Sequence, residues 1–408
     1  MTTRAQGLAR LHEFLPRAGL LYARDRNTDG GPTDRANISG LSPFLRRRLI
    51  TEEEVVQAAL ARHGRISANK FIEEIFWRTY WKGFLEARPH LWTRYQEDLG
   101  AQRRALESDG VLAARLQRAL DGATGIACFD AWIRELHELG WLHNHARMWF
   151  ASIWIFTLRL PWQLGAAHFL EHLTDADPAS NTLSWRWVAG LQTKGKNYLA
   201  RAENIRLYTA GRFDPRGQLD ERAAPLPDDG AVGNAIALPP RERLTERRVA
   251  LLLTEEDLHA ESWRLESEVI AIAGLAEGSR PARPPVAADR FAAADRFATE
   301  AMADGLERAG AHFGAPAELL ATEEILAWAV STGARELVTA YAAVGPIADA
   351  LASLRIGLRA RGVRLVELRR DWDEQSWPHA TKSFSKLREQ IPGLVESLVL
   401  GGLELDRG

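Results

Sequence analysis

Three short stretches carry side chains whose types and spacing could do chemistry. In NISGLSPFL (37–45), with Tyr22 upstream, two serine hydroxyls, a glycine and successive backbone amides lead into a turn. Donors of that kind can cradle a phosphate, although an ordinary Ser-Pro loop has the same composition. In KFIEEIFWRTYW (70–81), Glu74, Trp77, Arg78 and Trp81 recur at spacings of three and four and so share one helical face. That face offers a carboxylate, a guanidinium and two stacking surfaces; as a bare aromatic stripe it would equally suit a core. The third stretch joins WLHNHARM (141–148), with Asn144, Arg147 and Met148 on one helical turn, to TDADPASNTLSWRW (174–187), which carries Asp175, Asp177, Asn181, Trp185 and Trp187. Arg147 with an aspartate could serve a ligand or simply form an ion pair within a core.

Taken together and in this order, the stretches resemble the flavin-binding helical domain of the photolyase and cryptochrome family. The family's patterns are read here as Ser39-Gly-Leu41-Ser42-Pro43, Glu74-Ile-Phe-Trp77-Arg78, Gly140-Trp141-Leu-His143-Asn144-His-Ala-Arg147-Met148, and Asp175-Ala-Asp177-Pro-Ala-Ser-Asn181 followed by Trp185-Arg-Trp187. The resemblance covers roughly residues 20–215 and implies an FAD folded in a U inside a helical bundle. By it, Tyr22, Ser39, Leu41 and Ser42 hold the phosphates, and Arg78, Asn144 and Asp177 also border the cofactor. Arg147 pairs with Asp175 and faces the flavin ring, and Asn181 faces its N5, where a neutral amide leaves an anionic ring undisturbed. Trp185 is the implied immediate electron donor, with Trp162 behind it. The usual third tryptophan has no match, since residues 96–131 contain none, which leaves Trp149 and Trp154 as candidates for its place. Above the ring, the resemblance implies a pocket for a flipped-out pyrimidine dimer at Glu74, Trp77, Asn144, Met148 and Trp187; stacking surface and hydrogen bonds are what an extruded base needs.

The chain departs from the family pattern at several further places. His145 stands where an arginine often follows the His-Asn pair. Arg46, Arg47 and Arg48 replace a glycine, and the run reads as a solvated face or as a contact for a DNA backbone or partner. The α/β domain, which precedes the helical domain in the family, follows it here: VALLLTEEDLHAESW looks like its first strand and loop, and SFSKLREQIP (383–392) like the stretch that normally leaves it. Thr254 to His259 lacks the arginine and asparagine of that loop, so the resemblance assigns no antenna chromophore. Two further patterns are weak. His143-Asn144-His145 spells a nuclease-like tripeptide without the scaffold for it, and His168 with His172 at i, i+4 reads as a surface pair rather than a metal site.

These side chains need elements to position them. From Thr51 to about Leu173 the apolar spacing is helical, in EEEVVQAALARHG, NKFIEEIFWRTYWKGFLEARPHLWTRYQEDL, FDAWIRELHELGW and NHARMWFASIWIFTLRL, with Thr51 and three glutamates marking a helix start. Between residues 211 and 247 the pattern dissolves into Gly, Pro and Asp, which reads as a linker between an all-helical half (1–210) and a second domain (248–408). There RVALLL (248–253), ELVTAY (336–341) and VRLVEL (363–368) are strand candidates, alternating with helices in DRFAAADRFATEAMADGLERAG (289–310) and IADALASLRIGLRARG (347–362), with Gly362 as a helix stop. The fold class expected is an α-helical FAD-binding domain followed by a small parallel α/β, Rossmann-like domain.

Composition narrows the function. At 408 residues two domains are the default. One cysteine, Cys128, excludes an internal disulfide and an iron-sulfur cluster. No apolar run reaches the ~18 residues of a membrane span, and the N-terminus lacks the pattern of a secretory signal, so the expected compartment is the cytoplasm. Ten of the fourteen tryptophans lie between Trp77 and Trp187, and residues 1–223 carry a net +6 against −8 for 224–408; a cationic half can attract phosphate. The function expected is light-driven repair of pyrimidine dimers in DNA by electron transfer from reduced FAD. A cryptochrome-like photoreceptor that signals through a protein partner is the rival, and a light-independent redox flavoprotein a third reading.

Overall fold

The computed structural model describes residues 2–193, 195–276 and 292–405. The start of the helix predicted over 289–310 and the end of the domain predicted over 248–408 therefore lie outside the described residues. The first half is helical: α1 (Arg4–Phe14), α2 (Leu20–Asp25), α3 (Ser42–Arg46), α4 (Glu52–Glu86), α5 (His90–Ser108), α6 (Gly110–Leu120), α7 (Ala127–Leu139), α8 (Asn144–Ser152), α9 (Trp162–His172), α10 (Pro178–Ala189) and α11 (Ala202–Tyr208). The Thr51 hydroxyl accepts from Glu54 N–H while the Glu54 carboxylate accepts from Thr51 N–H, closing a reciprocal cap on α4. That helix bends at Gly64, whose φ of 67° only glycine adopts at little cost. After α8 the chain widens into one π turn, Ile153–Thr157, which carries Trp154. Trp132, Trp149, Phe150 and Trp154 are fully buried at the centre of the bundle.

The second half contains β1 (Arg248–Leu253), β2 (Glu268–Leu275), α12 (Ala292–Phe313), β3 (Ala317–Leu320), α13 (Thr322–Ser331), β4 (Glu336–Ala340), α14 (Pro346–Arg359), β5 (Arg364–Leu368), α15 (Asp371–Ser376) and α16 (Phe384–Leu405). The five strands pair in parallel in the order β3-β2-β1-β4-β5, the doubly wound arrangement. β1 is central and covered on both faces, so it reads as a continuous apolar run. Ala250 and Leu252 face Leu351 and Leu354 of α14, while Leu251 and Leu253 face Ala301 and Leu306 of α12. β2 and β3 do not stand out in the sequence. The first is diluted by alanine and glycine, and the second is a four-residue, largely exposed edge.

The halves are closely joined. Leu49, ahead of α4, is buried in the sheet's core, and Phe44 meets Phe297 with ring centroids 5.3 Å apart. From the other side Trp372 and Phe384 enter the helical core: Trp372 Nε1 donates to Thr79 Oγ1 at 2.9 Å, and its ring lies 4.6 Å from Phe76. Residues 211–247 contain no helix or strand and run along both halves, held by Arg186–Asp229 at 2.6 Å, Ile236 N–H to Ala87 O at 2.9 Å and Arg355–Glu242 at 3.0 Å.

The arginine run corrects the sequence reading. Arg46, Arg47 and Arg48 are 1%, 1% and 4% exposed, so they form neither a solvated face nor a free DNA contact. The reason is the loop after β1, which brings Glu255, Glu256 and Asp257 against them. Arg46 pairs with Glu256 at 2.7 Å, Arg47 with Glu255 at 3.2 Å, and Arg48 with Glu52 at 3.2 Å and Asp373 at 2.7 Å. A second correction concerns His168 and His172. They are buried, not a surface pair, because α9 lies between α5 and α10 with both rings turned toward α7.

Candidate functional site

A cavity of about 580 Å³ opens within the helical half, in the range of small-molecule and cofactor sites. Its wall brings together Tyr22, Ser39, Leu41, Ser42, Glu74, Trp77, Arg78, Asn144, Arg147, Met148, Asp175, Asp177, Asn181, Trp185 and Trp187. Of the residues picked from the sequence, Trp162 and the two candidates for the third tryptophan, Trp149 and Trp154, stand back from it. The wall is assembled from five places in the chain. α2 supplies Tyr22, the turn into α3 the serines and Leu41, α4 the Glu74 to Arg78 face, the start of α8 Asn144, Arg147 and Met148, and α10 with its preceding loop the rest.

Charge is concentrated at one end. Arg147 Nη1 and Asp175 Oδ1 are 3.0 Å apart, and Arg147 Nε donates to Leu142 O at 3.0 Å. Burial alone would raise the Asp175 carboxyl, but Arg147, Arg78 and the Ser42 hydroxyl outweigh it and hold the group below the usual carboxylate range. Asp177 caps α10 by accepting from Ser180 N–H at 2.7 Å. Burial opposes its charge too, yet Lys82, Arg78 and Arg46 bring it down to about 2. Both aspartates are therefore ionised, and both are balanced by neighbouring cations.

The fit to a dinucleotide cofactor can be judged on buried polar atoms whose hydrogen bonds the protein does not complete. Ser180 Oγ and Arg78 Nη1 are buried and make no hydrogen bond within the protein, Arg78 Nη1 standing 4.0 Å from Asp177 Oδ2; both residues line the cavity. Such orphans are costly unless a ligand or water completes them. Gly40, at φ 66°, turns the serine loop against Arg10, whose guanidinium holds Ser39 O at 2.7 Å. Asn181 Nδ2 donates to Ala166 O at 2.7 Å, leaving the carbonyl end of its amide for a ligand. The residues present thus fit FAD, with hydroxyls and amides at the serine turn and an Arg-Asp pair with a neutral amide deeper in.

The residues expected to meet a lesion are in part aromatic. Trp77 is stacked on Phe384 of α16 at 3.7 Å, so one face of its indole is already covered. Trp187 stacks on Tyr198 at 5.5 Å, and Asn144 is exposed. Glu74 is held by Arg26 at 2.9 Å and Lys70 at 3.2 Å. The sequence reading overlooked Arg26 and also Trp141, which lines the cavity under the Arg35 guanidinium at 4.1 Å; Trp141 lay inside a quoted motif, whereas Arg26 had no periodic or motif signal. His145 donates from Nδ1 to Asn27 O at 2.8 Å and stacks on Trp149 at 5.2 Å. Burial lowers its pKa, so the ring is a neutral packing element and does not replace a cationic arginine.

Around Trp185 the ring contacts run to Phe169 at 5.2 Å, Trp154 at 6.2 Å and Phe150 at 6.5 Å. Trp162 stacks instead on Tyr95 at 5.5 Å, with the Arg186 guanidinium 5.9 Å from its ring. Trp154, brought to Trp185 by the π turn, is the indole in ring contact with it among the described residues.

A model of the FAD binding domain of DNA photolyase matches residues 71–225. A deoxyribodipyrimidine photo-lyase of Streptomyces griseus is 34% identical over 181 residues, covering 41% of this chain and 38% of that protein. One from Thermus thermophilus is 32% identical over 218 residues, covering 53% and 49%. The crystal structure of a class III photolyase from Agrobacterium tumefaciens aligns with a TM-score of 0.42 at 27% identity, covering 51% of this chain and 43% of that one. The chain matches these relatives over two fifths to half of their length.

Proposed function

We propose that this chain, a protein of the photolyase and cryptochrome family by the FAD-binding domain in its helical half, binds FAD non-covalently and repairs pyrimidine dimers in DNA under blue light. The observation that carries this reading is a single cavity whose wall joins the serine turn, the Arg147–Asp175 pair and Asn181 to Glu74, Trp77, Asn144, Met148 and Trp187. FAD, when bound, supplies light absorption and the electron that splits the dimer; the protein supplies position and environment. Ser39, Ser42 and the amides about Leu41 take the phosphate end, and Tyr22 and Arg78 border it. Burial, with the negative charge of Glu74 adding to it, raises the Tyr22 phenol, so it stays a neutral donor. Arg147 and Asp177 with its cations set the local field, Asn181 presents a neutral amide, and Trp185 closes the inner wall. Trp77 and Trp187 offer stacking surface to an extruded pair of bases and Glu74 a carboxylate to hydrogen-bond it. DNA is the implied partner, and nothing in the cavity wall assigns an antenna chromophore.

Titration of damaged against undamaged oligonucleotide, followed by illumination, tests the reading. Tighter binding to damaged DNA, weakened by salt, and light-dependent restoration of pyrimidines are expected. Equal affinity without restoration would overturn it in favour of a photoreceptor that signals through a protein partner. That second reading is favoured by one observation: the arginine run is spent on carboxylates between the domains and offers nothing to a phosphate backbone.

A further inference from the structure

Away from the cavity, three imidazoles converge: His137 in the last turn of α7, and His168 with His172 one turn apart on α9. Their ligand nitrogens all lie within 4.8 Å of one another. His137 Nε2 and His168 Nε2 are 3.0 Å apart, and the ring centroids of His168 and His172 are 4.0 Å apart. We propose that this cluster is a binding site for a nitrogen-preferring divalent transition-metal ion, of which Zn²⁺ is the representative case.

The geometry argues for it at three levels. A tetrahedral ion with Zn–N bonds of about 2.0–2.1 Å holds its nitrogens about 3.3 Å apart; His137 and His168 already stand at 3.0 Å, and His172 lies within 4.8 Å of both, so ring rotations bring the three onto one ion. The spacing i, i+4 on α9 sets two ligands on one helical face, and α7 brings the third from across the helix pair. His172 Nδ1 donates to the backbone carbonyl of His168 at 2.9 Å, which fixes the proton on that nitrogen and leaves Nε2 as the ligand atom; this is the outer hydrogen bond metal-bound histidines commonly make. Imidazole ligands without thiolate or carboxylate select Zn²⁺, Cu²⁺ and Ni²⁺ over Mg²⁺ and Ca²⁺. Three nitrogens leave the fourth position of a tetrahedral ion to water, and half-buried His137 gives the ion a side from which to arrive. The site is tied to the rest of the molecule by Trp154, which lies parallel to His168 at 6.5 Å and edge-on to Trp185 at 6.2 Å, so an ion there sits behind the inner wall of the cavity.

The competing account is an imidazole–imidazole hydrogen bond between His137 and His168 with no ion, and it makes opposite predictions. Full-length, tag-free protein is stripped with chelator and titrated with Zn²⁺ by calorimetry and with Co²⁺ by its ligand-field absorption. One ion per chain, the intense visible band of tetrahedral Co²⁺, and a melting temperature raised by Zn²⁺ are expected. His137→Gln, at the least buried ligand, should weaken binding by about tenfold or more and remove the thermal shift, while a far-ultraviolet spectrum reports that it still folds; His168→Ala should do the same. Absence of saturable binding to the wild type, or equal binding by wild type and a folded His137→Gln, would overturn the proposal.

Discussion

Arg147 and Asp175 show how much a single pair at the cavity wall can control. Asp175 is buried and ionised because Arg147, with Arg78 and the Ser42 hydroxyl, together outweigh its desolvation. Arg147→Ala would leave that charge facing the cavity, at a cost of about 3 kcal/mol for an uncompensated buried carboxylate. The expected outcome is lower FAD retention after gel filtration, with recovery in Arg147→Lys only partial because the two-pronged contact is lost. Unchanged flavin content in Arg147→Ala would remove the pair from the site. The ring contacts give a second prediction at this scale. Trp185→Phe should abolish photoreduction of bound FAD in the presence of a thiol. Trp154→Phe should slow it more than Trp162→Phe, since Trp154 touches Trp185 edge-on whereas the ring contact of Trp162 is Tyr95. The measurement is flavin absorbance under steady illumination, and the reverse order would assign the path to Trp162.

Helices α9 and α10 cross at a position where one missing methyl decides the packing. A Cβ on Gly165 would lie 2.3 Å and 2.6 Å from two ring carbons of Trp185 and 3.0 Å from one of Trp154. Both indoles are buried, so neither yields without repacking its neighbours. Gly165→Ala gains up to about 1 kcal/mol of helix propensity but forces overpacking that typically costs about 1–3 kcal/mol, so a net loss of up to about 2 kcal/mol is expected in urea unfolding, with Trp185 pushed into the cavity and FAD affinity reduced. A stabilised variant with normal flavin content would refute that account. The same crossing shows what was legible in the sequence. The helices, the parallel sheet and the residues of the cavity wall could be read because amphipathic period and motif order are local. The approach of Trp154 to Trp185 could not, because it depends on a π turn that no residue type announces and on a glycine that reads simply as a weak helix former. Likewise β3 was missed because a short exposed edge has no apolar alternation, and His137 went unnoticed because it is about thirty residues from its partners in sequence.

At the scale of the molecule, the cavity and the joint between the domains share one set of charges. Asp177 is ringed by Lys82, Arg46 and Arg78 at 3.8, 3.9 and 4.0 Å, and Lys82 and Arg46 also hold Glu256 of the loop after β1, at 3.1 and 2.7 Å. Docking of the α/β half therefore supplies the carboxylate that balances two of the cations paired with Asp177 of the cavity wall. A charge run that looks like a surface in sequence became an interior seam because its counter-charges lie some two hundred residues away. The pH dependence of that seam can be signed. Asp177 has a folded pKa of about 2 against an ordinary 3.8, so its contribution is fully present above about pH 4 and is lost as pH falls through about 2. The interval corresponds to about 2 kcal/mol. Asp177→Asn isolates the charge, since asparagine caps a helix about as well as aspartate. Urea unfolding of both proteins should show the variant less stable at about pH 5, with the gap shrinking by about 2 kcal/mol toward pH 2. A gap that does not change with pH would mean that Asp177 acts only as the cap of α10, and the electrostatic link between cavity and joint would fall with it.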